Sequence, residues 1–460
     1  MSKSPFVFIT DKIIDSFEWI EFKNTVDWCK DNIYLSSETS PYTGMISFER
    51  TPWIEEILND CDKPWIEEFD IMASTQVGKT TIEFCFLSKE MDTNPSMMQL
   101  SIPNDNDVSN YIAKKLDPFL KGVKSLQSKL IDRKEEEKKR LKIATKEIAG
   151  GTVFITGNTS TARRTNTVRV ILLDEVALFG SGHVAEFRGR TKFFEKTGRK
   201  ILIVSSRKHK GDEIELAYDG AYCKKELHIL CKGCNTFFYP TSKHFKYLTK
   251  QEYKEQNKIE SIENNTDYKR KAKNTGRVEC QCGHCITSKD IEDLVREKNV
   301  KLVIVEGNDN ESRHGYKLNA LATALTNYST IVEELIDAGD DDEKLATIYQ
   351  DYFNETHEIK FEETNSNDML ILSNSLTEWE IPKDTYKIYM GVDTQKDHFW
   401  YEVKAVGYNT VTHTLSCGRL ETFADIEDIW EYGQSLEDKE GGLWMISKMG
   451  IDRRGYNQDG

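Results

Sequence analysis

Apolar and polar positions follow a regular alternation of segments along the first half of the chain. Apolar segments with the length of buried strands lie at 69–73, 97–103, 151–157, 168–176 and 199–206. Helical patterns lie between them at 80–91 and 104–120, and the second begins with Asn and Asp residues that suit a helix N-terminus. Strands that alternate with helices predict an α/β fold, in which a parallel sheet carries helices on both faces.

The pattern changes at residue 223. From 223 to 290, cysteines cluster at both ends of a highly polar stretch, which indicates an inserted module. One helical pattern follows at 329–339, and two apolar segments separated by a polar turn then predict a strand hairpin over 386–406. We therefore predict an N-terminal segment at 1–48, a first domain at 49–222, an insertion at 223–290, a connector at 291–383 and a last domain at 384–460.

Composition narrows the class of protein. The chain has 460 residues, 38% hydrophobic and 30% charged, which is a globular balance large enough for two or three domains. The net charge of −15 argues against a chain that is basic throughout, although local basic patches on an acidic body can still bind nucleic acid. No apolar run approaches the roughly 20 residues needed to cross a bilayer. The first 22 residues carry charges within their apolar part and no cleavage pattern, so we predict no signal peptide and no membrane association.

A phosphate-binding loop is predicted between the first strand and the first helix. The sequence AxxxxGKT fits the pattern GxxxxGK[ST] except that Ala73 replaces the first glycine. Backbone N–H groups and the helix N-terminus would surround the phosphates of ATP, Lys79 would reach the β- and γ-phosphates, and the Thr80 hydroxyl would ligate Mg²⁺. The predicted ATP-binding residues are Ala73, Ser74, Thr75, Gln76, Val77, Gly78, Lys79, Thr80 and Thr81.

An acidic strand end supplies the second half of this site. The apolar strand Val170 to Leu173 runs into Asp174 and Glu175. We predict that Asp174 holds Mg²⁺, directly or through water, and that Glu175 polarises the attacking water. Two acids after a buried strand are common in any protein, and the prediction depends on their place downstream of the phosphate loop.

Two further polar pairs lie near the predicted strand ends. Ser205 and Ser206 close the last strand and could couple hydrolysis to motion, or they could form a simple turn. Arg163 and Arg164 precede the acidic strand, where an arginine facing the γ-phosphate would stabilise transition-state charge. A surface pair or a contact with nucleic acid is the open alternative for these arginines.

The cysteines predict a zinc site. Ten cysteines in a chain without a secretory signal indicate a reducing compartment, where clustered thiols bind metal in preference to forming disulfides. Cys231–Cys234 and Cys282–Cys285 are two Cys-x-x-Cys pairs, and four thiolates suit tetrahedral Zn²⁺. Cys280 is the spare thiol in CQCGHC, since its spacing does not match the first pair, and His284 is not selected as a ligand.

The ordered motifs resemble the large subunit of the DNA-packaging terminase of tailed phages, lambda type. The similar segments are the phosphate loop, TSTARRTNTVRVILLDEVALF at 159–179, the two cysteine pairs, residues 313–339, and MGVDTQKDHFWYEVKAVG at 390–407. The resemblance covers 45–460. It implies a P-loop ATPase domain with a zinc-binding insertion, followed by a nuclease domain with an RNase H-like fold.

The resemblance also implies roles and partners. Asp393, at the end of the first hairpin strand, becomes the first nuclease metal ligand, and Asp452 matches a second acid at a strand end. Such nucleases hold two Mg²⁺ or Mn²⁺ ions with three or four carboxylates, for which Glu421 or Asp425 are further candidates. The implied partners are double-stranded DNA, the terminase small subunit and the portal of the procapsid, with a homo-oligomeric ring acting in the cytoplasm of the host cell.

Three further expectations concern the nuclease domain, the charge run and the alternative functions. The family's nuclease domain continues to a last acid beyond the point matched by residue 460, so we expect an incomplete nuclease with little activity by itself. The charge run at 129–142 predicts a solvated helix or a mobile connection, with DNA contact as the alternative. The alternative functions are a helicase-like DNA-translocating ATPase without nuclease activity, and a non-enzymatic, zinc-stabilised assembly protein.

Overall fold

The computed structural model describes residues 23–130, 144–258, 265–357, 377–395, 398–408 and 411–452. The chain divides into two compact units, residues 1–359 and residues 360–460. Nearly all of the predicted charge run at 129–142, and the first 22 residues of the predicted N-terminal segment, lie outside the described residues. None of the helices within these ranges has the length and apolar character needed to span a membrane.

The first unit contains the five strands that were predicted between residues 69 and 206, together with further strands. They are β1 (Tyr34–Leu35), β2 (Gly44–Met45), β3 (Glu68–Ala73), β4 (Met97–Ile102), β5 (Ala144–Ile148), β6 (Gly151–Gly157), β7 (Val170–Asp174), β8 (Lys200–Ser205), β9 (Cys223–Cys231), β10 (Thr236–Phe238), β11 (Phe245–Lys246), β12 (Arg277–Glu279), β13 (Cys285–Ile286), β14 (Val300–Glu306) and β15 (Arg313–Leu318). Each of the five strands predicted between 69 and 206 is present within one or two residues of its predicted ends.

The helices of the first unit connect these strands. They are α1 (Thr25–Asn32), α2 (Pro52–Cys61), α3 (Lys79–Thr93), α4 (Val108–Tyr111), α5 (Asp117–Lys121), α6 (Ser160–Arg164), α7 (His183–Arg188), α8 (Glu213–Asp219), α9 (Lys250–Asn257), α10 (Asn265–Ala272), α11 (Ser288–Arg296), α12 (Tyr328–Ala338) and α13 (Asp342–Ile348). Two π-helical turns, Ile112–Leu116 and Tyr349–Phe353, extend α4 and α13.

One large sheet organises the first unit. Its strand order is β10-β9-β15-β3-β8-β7-β4-β6-β5, with β14 also paired to β9. The strands from β9 to β6 run parallel, and β5, β10 and β14 are antiparallel to their neighbours. The carboxyl ends of β3, β8 and β7 therefore meet at the same edge of the sheet, and the predicted α/β fold is confirmed.

Two cores cover the two faces of this sheet. Successive side chains of a strand point to opposite faces, and β7 follows this rule, because Val170 and Leu172 lie in one core and Ile171 and Leu173 in the other. Every residue of β3, β7 and β8 is buried. Burial of each such aliphatic side chain contributes roughly 1.5–3 kcal/mol, so these central strands form a rigid base for the loops that follow them.

The prediction that residues 291–383 form a connector is wrong for the first part of this range. Strand β15 lies between β9 and β3, and its Tyr316 pairs with Ile71 of β3. The elements from α11 to α13 therefore belong to the first unit. Strand β9 also belongs to the large sheet, so the predicted insertion at 223–290 begins with a strand of the main fold. Its remainder contains the small sheet β11-β12-β13 and the helices α9 and α10.

The second unit contains the predicted hairpin. Its elements are β16 (Thr385–Thr394), β17 (Phe399–Gly407), β18 (Thr412–Leu420), α14 (Phe423–Tyr432), β19 (Leu436–Glu437), β20 (Leu443–Trp444) and β21 (Ile446–Ile451). The main sheet has the order β18-β17-β16-β21, with β16 antiparallel to β17 and parallel to β21. Ile388, Met390 and Val403 form its core with Ile426 of α14.

Candidate functional sites

The phosphate loop joins the central strand β3 to α3. Residues Ser74–Gly78 form the loop, and α3 begins at Lys79. Gly78 has φ +95°, a left-handed conformation that glycine adopts without strain. The Trp53 indole donates a hydrogen bond of 2.9 Å to the Val77 carbonyl, which fixes the outer side of the loop. The predicted ATP-binding residues 73–81 therefore form one continuous strand–loop–helix element.

The Lys79 ammonium lies over this loop. Its Nζ donates to the carbonyls of Ala73 and Ser74 at 3.2 Å each and to the Ser206 hydroxyl at 2.6 Å. The Glu175 carboxylate is 4.0 Å from the same Nζ atom. Burial lowers the pKa of Lys79, although the neighbouring acids act in the opposite direction. Lys79 thus links the phosphate loop to the ends of β7 and β8.

The acidic pair lies at the end of β7. Asp174 is buried, and Glu175 follows with φ +56°, held by a backbone hydrogen bond of 2.8 Å from its N–H to the Val204 carbonyl. Burial, and then the charge of Glu175, raise the pKa of Asp174 to about 6, while Lys115 and Lys79 oppose the shift. A carboxylate at a buried strand end, next to cations and the first turn of α3, is the kind of ligand that Mg²⁺ accepts.

Ser205 and Ser206 connect the two halves of the site. The Ser205 hydroxyl donates to the Ser206 carbonyl at 2.8 Å, approaches a Glu175 carboxylate oxygen at 3.5 Å, and accepts from the Ala177 N–H at 3.1 Å. Ser206 accepts from Lys79. The serines predicted for coupling therefore lie between the acidic residue and the phosphate-loop lysine, and their coupling role stays a prediction.

The predicted arginine pair has other partners in this conformation. Arg163 is buried, and its guanidinium donates to the Glu186 carboxylate at 3.0 Å and to the Asn158 carbonyl and side chain at 2.9 and 2.8 Å. The Arg164 side chain is 71% exposed and lies 3.6 Å from Glu186. The structure thus places Arg163 with Asn158 and Glu186, and it leaves Arg164 facing solvent.

A segment that was not predicted from the sequence accepts hydrogen bonds from the phosphate loop. The Thr75 N–H and hydroxyl both donate to the Asp351 carbonyl at 3.1 Å. The Asn354 amide donates to the carbonyls of Met72 at 2.8 Å and Leu318 at 3.1 Å. Asn354 is fully buried with φ +55°. We call residues 349–354 the clamp segment, because these bonds attach it to β3, to β15 and to the phosphate loop.

Asn354→Ala is expected to lower the free energy of unfolding of the first unit by about 2–3 kcal/mol, because two buried hydrogen bonds are lost, to the carbonyls of Met72 and Leu318. Urea unfolding followed by circular dichroism measures this change. Asn310→Ala, at an exposed position, is the matched control and should stay within about 0.5 kcal/mol of the unmodified chain. Equal stability of the two variants would contradict a holding role for the clamp segment.

Four cysteine sulfurs form a cluster at the end of β9. Cys231, Cys234, Cys280 and Cys282 offer sulfurs that all lie within 4.8 Å of one another. The sulfurs of Cys231 and Cys282 are 3.5 Å apart, and those of Cys234 and Cys280 are 3.8 Å apart. Hydrogen bonding by Thr236, with smaller contributions from the other three cysteines, lowers the pKa of Cys234 to about 7. Four converging thiols fit a tetrahedral Zn²⁺ site.

The structure corrects one predicted zinc ligand. Cys285 lies outside the cluster, and its sulfur is 3.8 Å from the Gly283 carbonyl oxygen. It begins β13 and pairs with Glu279 of β12, so the turn between these strands contains Cys280 and Cys282. The Gly283 N–H closes this turn on the Cys280 carbonyl at 2.8 Å. In the thiol cluster, Cys280 therefore lies where the spacing argument placed Cys285, and zinc binding stays a prediction.

A second group of possible metal ligands is already neutralised by lysines. Asp60, Asp309 and His314 converge in the first unit. The Lys225 ammonium lies 2.7 Å from Asp60 and 2.6 Å from Asp309, and Lys63 contacts both carboxylates as well. Burial lowers the pKa of His314 to about 4. We interpret this group as an internal ion network that fixes β15 and β9 to α2.

In the second unit, the structure brings Asp393 and Asp452 to neighbouring strand ends. Strand β16 pairs in parallel with β21, and Val392 aligns with Ile451. The Asp452 N–H donates to the Val392 carbonyl at 2.9 Å, and the Thr394 hydroxyl donates to the Asp452 carbonyl at 3.1 Å. Because the two acids lie at adjacent carboxyl ends, their side chains can share a metal site.

The other acids named from the sequence have local roles. Asp425 accepts the N–H groups of Glu421 at 2.9 Å and Thr422 at 2.7 Å, and it forms the capping box of α14. These bonds lower the pKa of Asp425. Glu421 lies 3.2 Å from Arg419 as an exposed ion pair. Asp425 is therefore a helix cap in this structure.

The parallel sheet, the phosphate loop and the acidic strand end define the first unit as a P-loop nucleotide-binding unit. Models of two protein domains match the chain: phage terminase large subunit gpA, ATPase domain, over residues 40–301, and terminase large subunit gpA, endonuclease domain, over residues 313–459. The chain belongs to the phage terminase large subunit gpA family. The resemblance seen in the sequence is therefore confirmed.

Individual relatives are distant. The large terminase subunit of Escherichia phage lambda is 22% identical over 221 residues, which cover 46% of this chain and 34% of that protein. The match thus spans about a third of the length of this curated relative. The HK97 bacteriophage large terminase aligns at 8% identity over 89% of this chain and 70% of that chain, with a TM-score of 0.41. A large terminase from a thermophilic bacteriophage aligns at 12% identity over 88% of this chain and 76% of that chain, with a TM-score of 0.30.

Proposed function

We propose that this chain is a DNA-packaging motor subunit that hydrolyses ATP to move double-stranded DNA, and that its second unit is a metal-dependent endonuclease that cuts concatemeric DNA. The observation that carries the ATPase part is the convergence of Lys79, Asp174, Glu175 and Ser206 at the ends of three adjacent parallel strands. The match to the gpA endonuclease domain model disfavours the alternative of a translocating ATPase without nuclease activity.

The residues of the first unit divide the work of ATP hydrolysis. Lys79 and the N–H groups of the loop bind the phosphates, and Thr80 and Asp174 would hold Mg²⁺, which would supply positive charge near the phosphates. Glu175 orients and polarises the attacking water. Because Ser205 and Ser206 contact both Glu175 and Lys79, they are placed to sense the state of the nucleotide.

The arginine and cysteine residues have supporting roles in this proposal. Arg164 is the better candidate for an arginine that reaches a γ-phosphate, since the buried Arg163 is bound to Glu186 and Asn158. Zn²⁺ bound by Cys231, Cys234, Cys280 and Cys282 would be structural, because four protein ligands leave no open position. The site joins the end of β9 to the turn between β12 and β13, and so ties the insertion to the main sheet.

The partners follow from the family and from the proposed activities. We propose double-stranded DNA as the substrate of both units, a terminase small subunit and the procapsid portal as protein partners, and a homo-oligomeric ring during packaging. The proposed location is the cytoplasm of the infected host cell.

Asp393→Asn is expected to lower Mn²⁺-dependent plasmid nicking by about 100-fold or more, because removal of a ligand charge weakens metal binding at the strand ends. Asp452→Asn should act in the same direction. Nicking is measured by conversion of supercoiled to open-circular DNA.

Asp428→Asn is the control for this assay, since Asp428 is an exposed acid of α14 in the same unit. It should cut like the unmodified chain. Equal nicking by the Asp393 variant would contradict the proposed site.

A further inference from the structure

One carboxylate of the phosphate-loop helix has no role in the mechanism above. Glu83 lies four residues after Lys79 on α3, so the two side chains leave the same face of the helix. Glu83 is fully buried, with 0% exposure. Neither of its carboxylate oxygens has a hydrogen-bond partner among the described residues.

Such a group is costly unless something compensates its charge. A buried carboxylate without a partner destabilises the fold, whereas two other buried acids of this unit, Glu68 and Asp60, are paired. Glu68 is bound by Arg188 at 2.6 Å and by Arg313 at 2.8 Å, and Asp60 is bound by Lys225 at 2.7 Å. Glu83 on α3 differs from these two acids in having no partner among the described residues, and it lies beside the nucleotide site.

The charged neighbours of Glu83 are those of the proposed magnesium site. Burial, and then the charges of Asp174 and Glu175 at the end of β7, raise the pKa of Glu83 well above its usual range, and Lys115 and Lys79 act in the opposite direction. The Tyr111 hydroxyl is buried near Glu83 and Asp174. Three carboxyl groups therefore face two ammonium groups, so their full ionisation requires more positive charge than the two lysines supply. A divalent cation supplies the missing charge.

We propose that Glu83 is a positioning residue of the magnesium site. Its carboxylate accepts a hydrogen bond from a water in the hydration shell of the ion that Thr80 and Asp174 would hold. This inference rests on the proposed ATPase function. Mg²⁺ keeps several of its waters when it binds with a nucleotide, and a buried carboxylate at the second layer fixes such a water. Glu83 orders the metal and does not contact the substrate.

The test measures metal binding directly. Mn²⁺ replaces Mg²⁺, and the electron paramagnetic resonance signal of free Mn²⁺ is titrated with the full chain in the presence of saturating ADP. Glu83→Gln is expected to weaken Mn²⁺ binding by about 10-fold or more. ADP affinity without divalent metal should stay within about twofold, and the melting temperature without nucleotide should be unchanged or higher, because Glu83 has no hydrogen bond to lose among the described residues.

Glu90→Gln is the matched control, since Glu90 lies on the same helix but pairs with Arg169 away from the site. It should bind Mn²⁺ like the unmodified chain. Glu83→Asp keeps the charge with a shorter side chain; it should weaken Mn²⁺ binding too, and it replaces the Gln variant if that one does not fold. Unchanged Mn²⁺ affinity in a folded Glu83 variant overturns the inference alone. Absence of Mn²⁺–ADP binding by the unmodified chain overturns the proposed ATPase site as well.

Discussion

Lys79→Ala is expected to lower the rate of ATP turnover by about 100- to 1,000-fold, the loss typical of a donor that stabilises transition-state charge. The Lys79 ammonium lies within 3.2 Å of the loop carbonyls of Ala73 and Ser74 and 2.6 Å from the Ser206 hydroxyl. Phosphates bound in the loop replace the carbonyls as its partners. Phosphate release at saturating ATP, measured with and without double-stranded DNA, reports the loss.

Lys89→Ala provides the control, because Lys89 is a buried lysine near the other end of the same helix. It should leave turnover within about twofold of the unmodified chain, even if it lowers stability. Circular dichroism verifies that both variants fold. If the Lys79 variant keeps more than a tenth of the turnover, the phosphate loop is not the site of hydrolysis. If the unmodified chain shows no turnover, a non-enzymatic assembly protein becomes the better interpretation.

The nucleotide site was predictable because its parts are local in the sequence. The apolar strand, the loop and the helix follow one another directly, and the run Val170 to Leu173 makes the acidic end of β7 recognisable by itself. Parallel strands place their carboxyl ends at one edge, so the approach of Lys79 to Glu175 follows from the fold class. The contacts of Ser206 with Lys79 needed the structure, since a Ser-Ser pair at a strand end is also typical of a turn.

Strand β15 was not predictable from its own residues. Its sequence RHGYKL has neither an apolar run nor a clear alternation, and yet it lies between two strands of the large sheet. Its burial depends on distant groups: Tyr316 donates to Asp60 at 2.8 Å, and Gly315 leaves room for Tyr218, whose ring carbon would be 2.9 Å from an added Cβ. The Asp60 partner lies more than 200 residues away in the sequence, and local pattern carries no signal for such a contact.

Glu83 and Asn354 escaped the sequence reading for a related reason. A glutamate within a helical pattern is usually a solvated residue, and only the proximity of β7 shows that this one faces Asp174. The spacing of four residues from Lys79 was the available signal. Asn354 had none, because its role depends on the left-handed backbone that points its amide at the carbonyls of Met72 and Leu318.

The cysteine cluster leads to the second large expected effect. Cys280→Ser is expected to reduce bound zinc from about one ion per chain to a small fraction of that. The metal supplies folding free energy, roughly 10–16 kcal/mol of apparent binding energy in small zinc modules, and a hydroxyl is a poor replacement for a thiolate ligand. Metal content is measured by mass spectrometry on protein purified under reducing conditions. Limited proteolysis should show the insertion cut faster than in the unmodified chain.

Cys285→Ser is the matched control, and it separates the structure from the spacing rule. The spacing of Cys-x-x-Cys favours Cys285, whereas the pairing of β12 with β13 places Cys285 on a strand, opposite Glu279 and beyond the turn. The turn itself brings the Cys280 and Cys282 sulfurs to those of Cys231 and Cys234. Cys285→Ser should therefore keep its zinc. If the Cys285 variant loses zinc and the Cys280 variant keeps it, the spacing argument is right. That result would mean that the turn places Cys285 among the ligands when metal is bound.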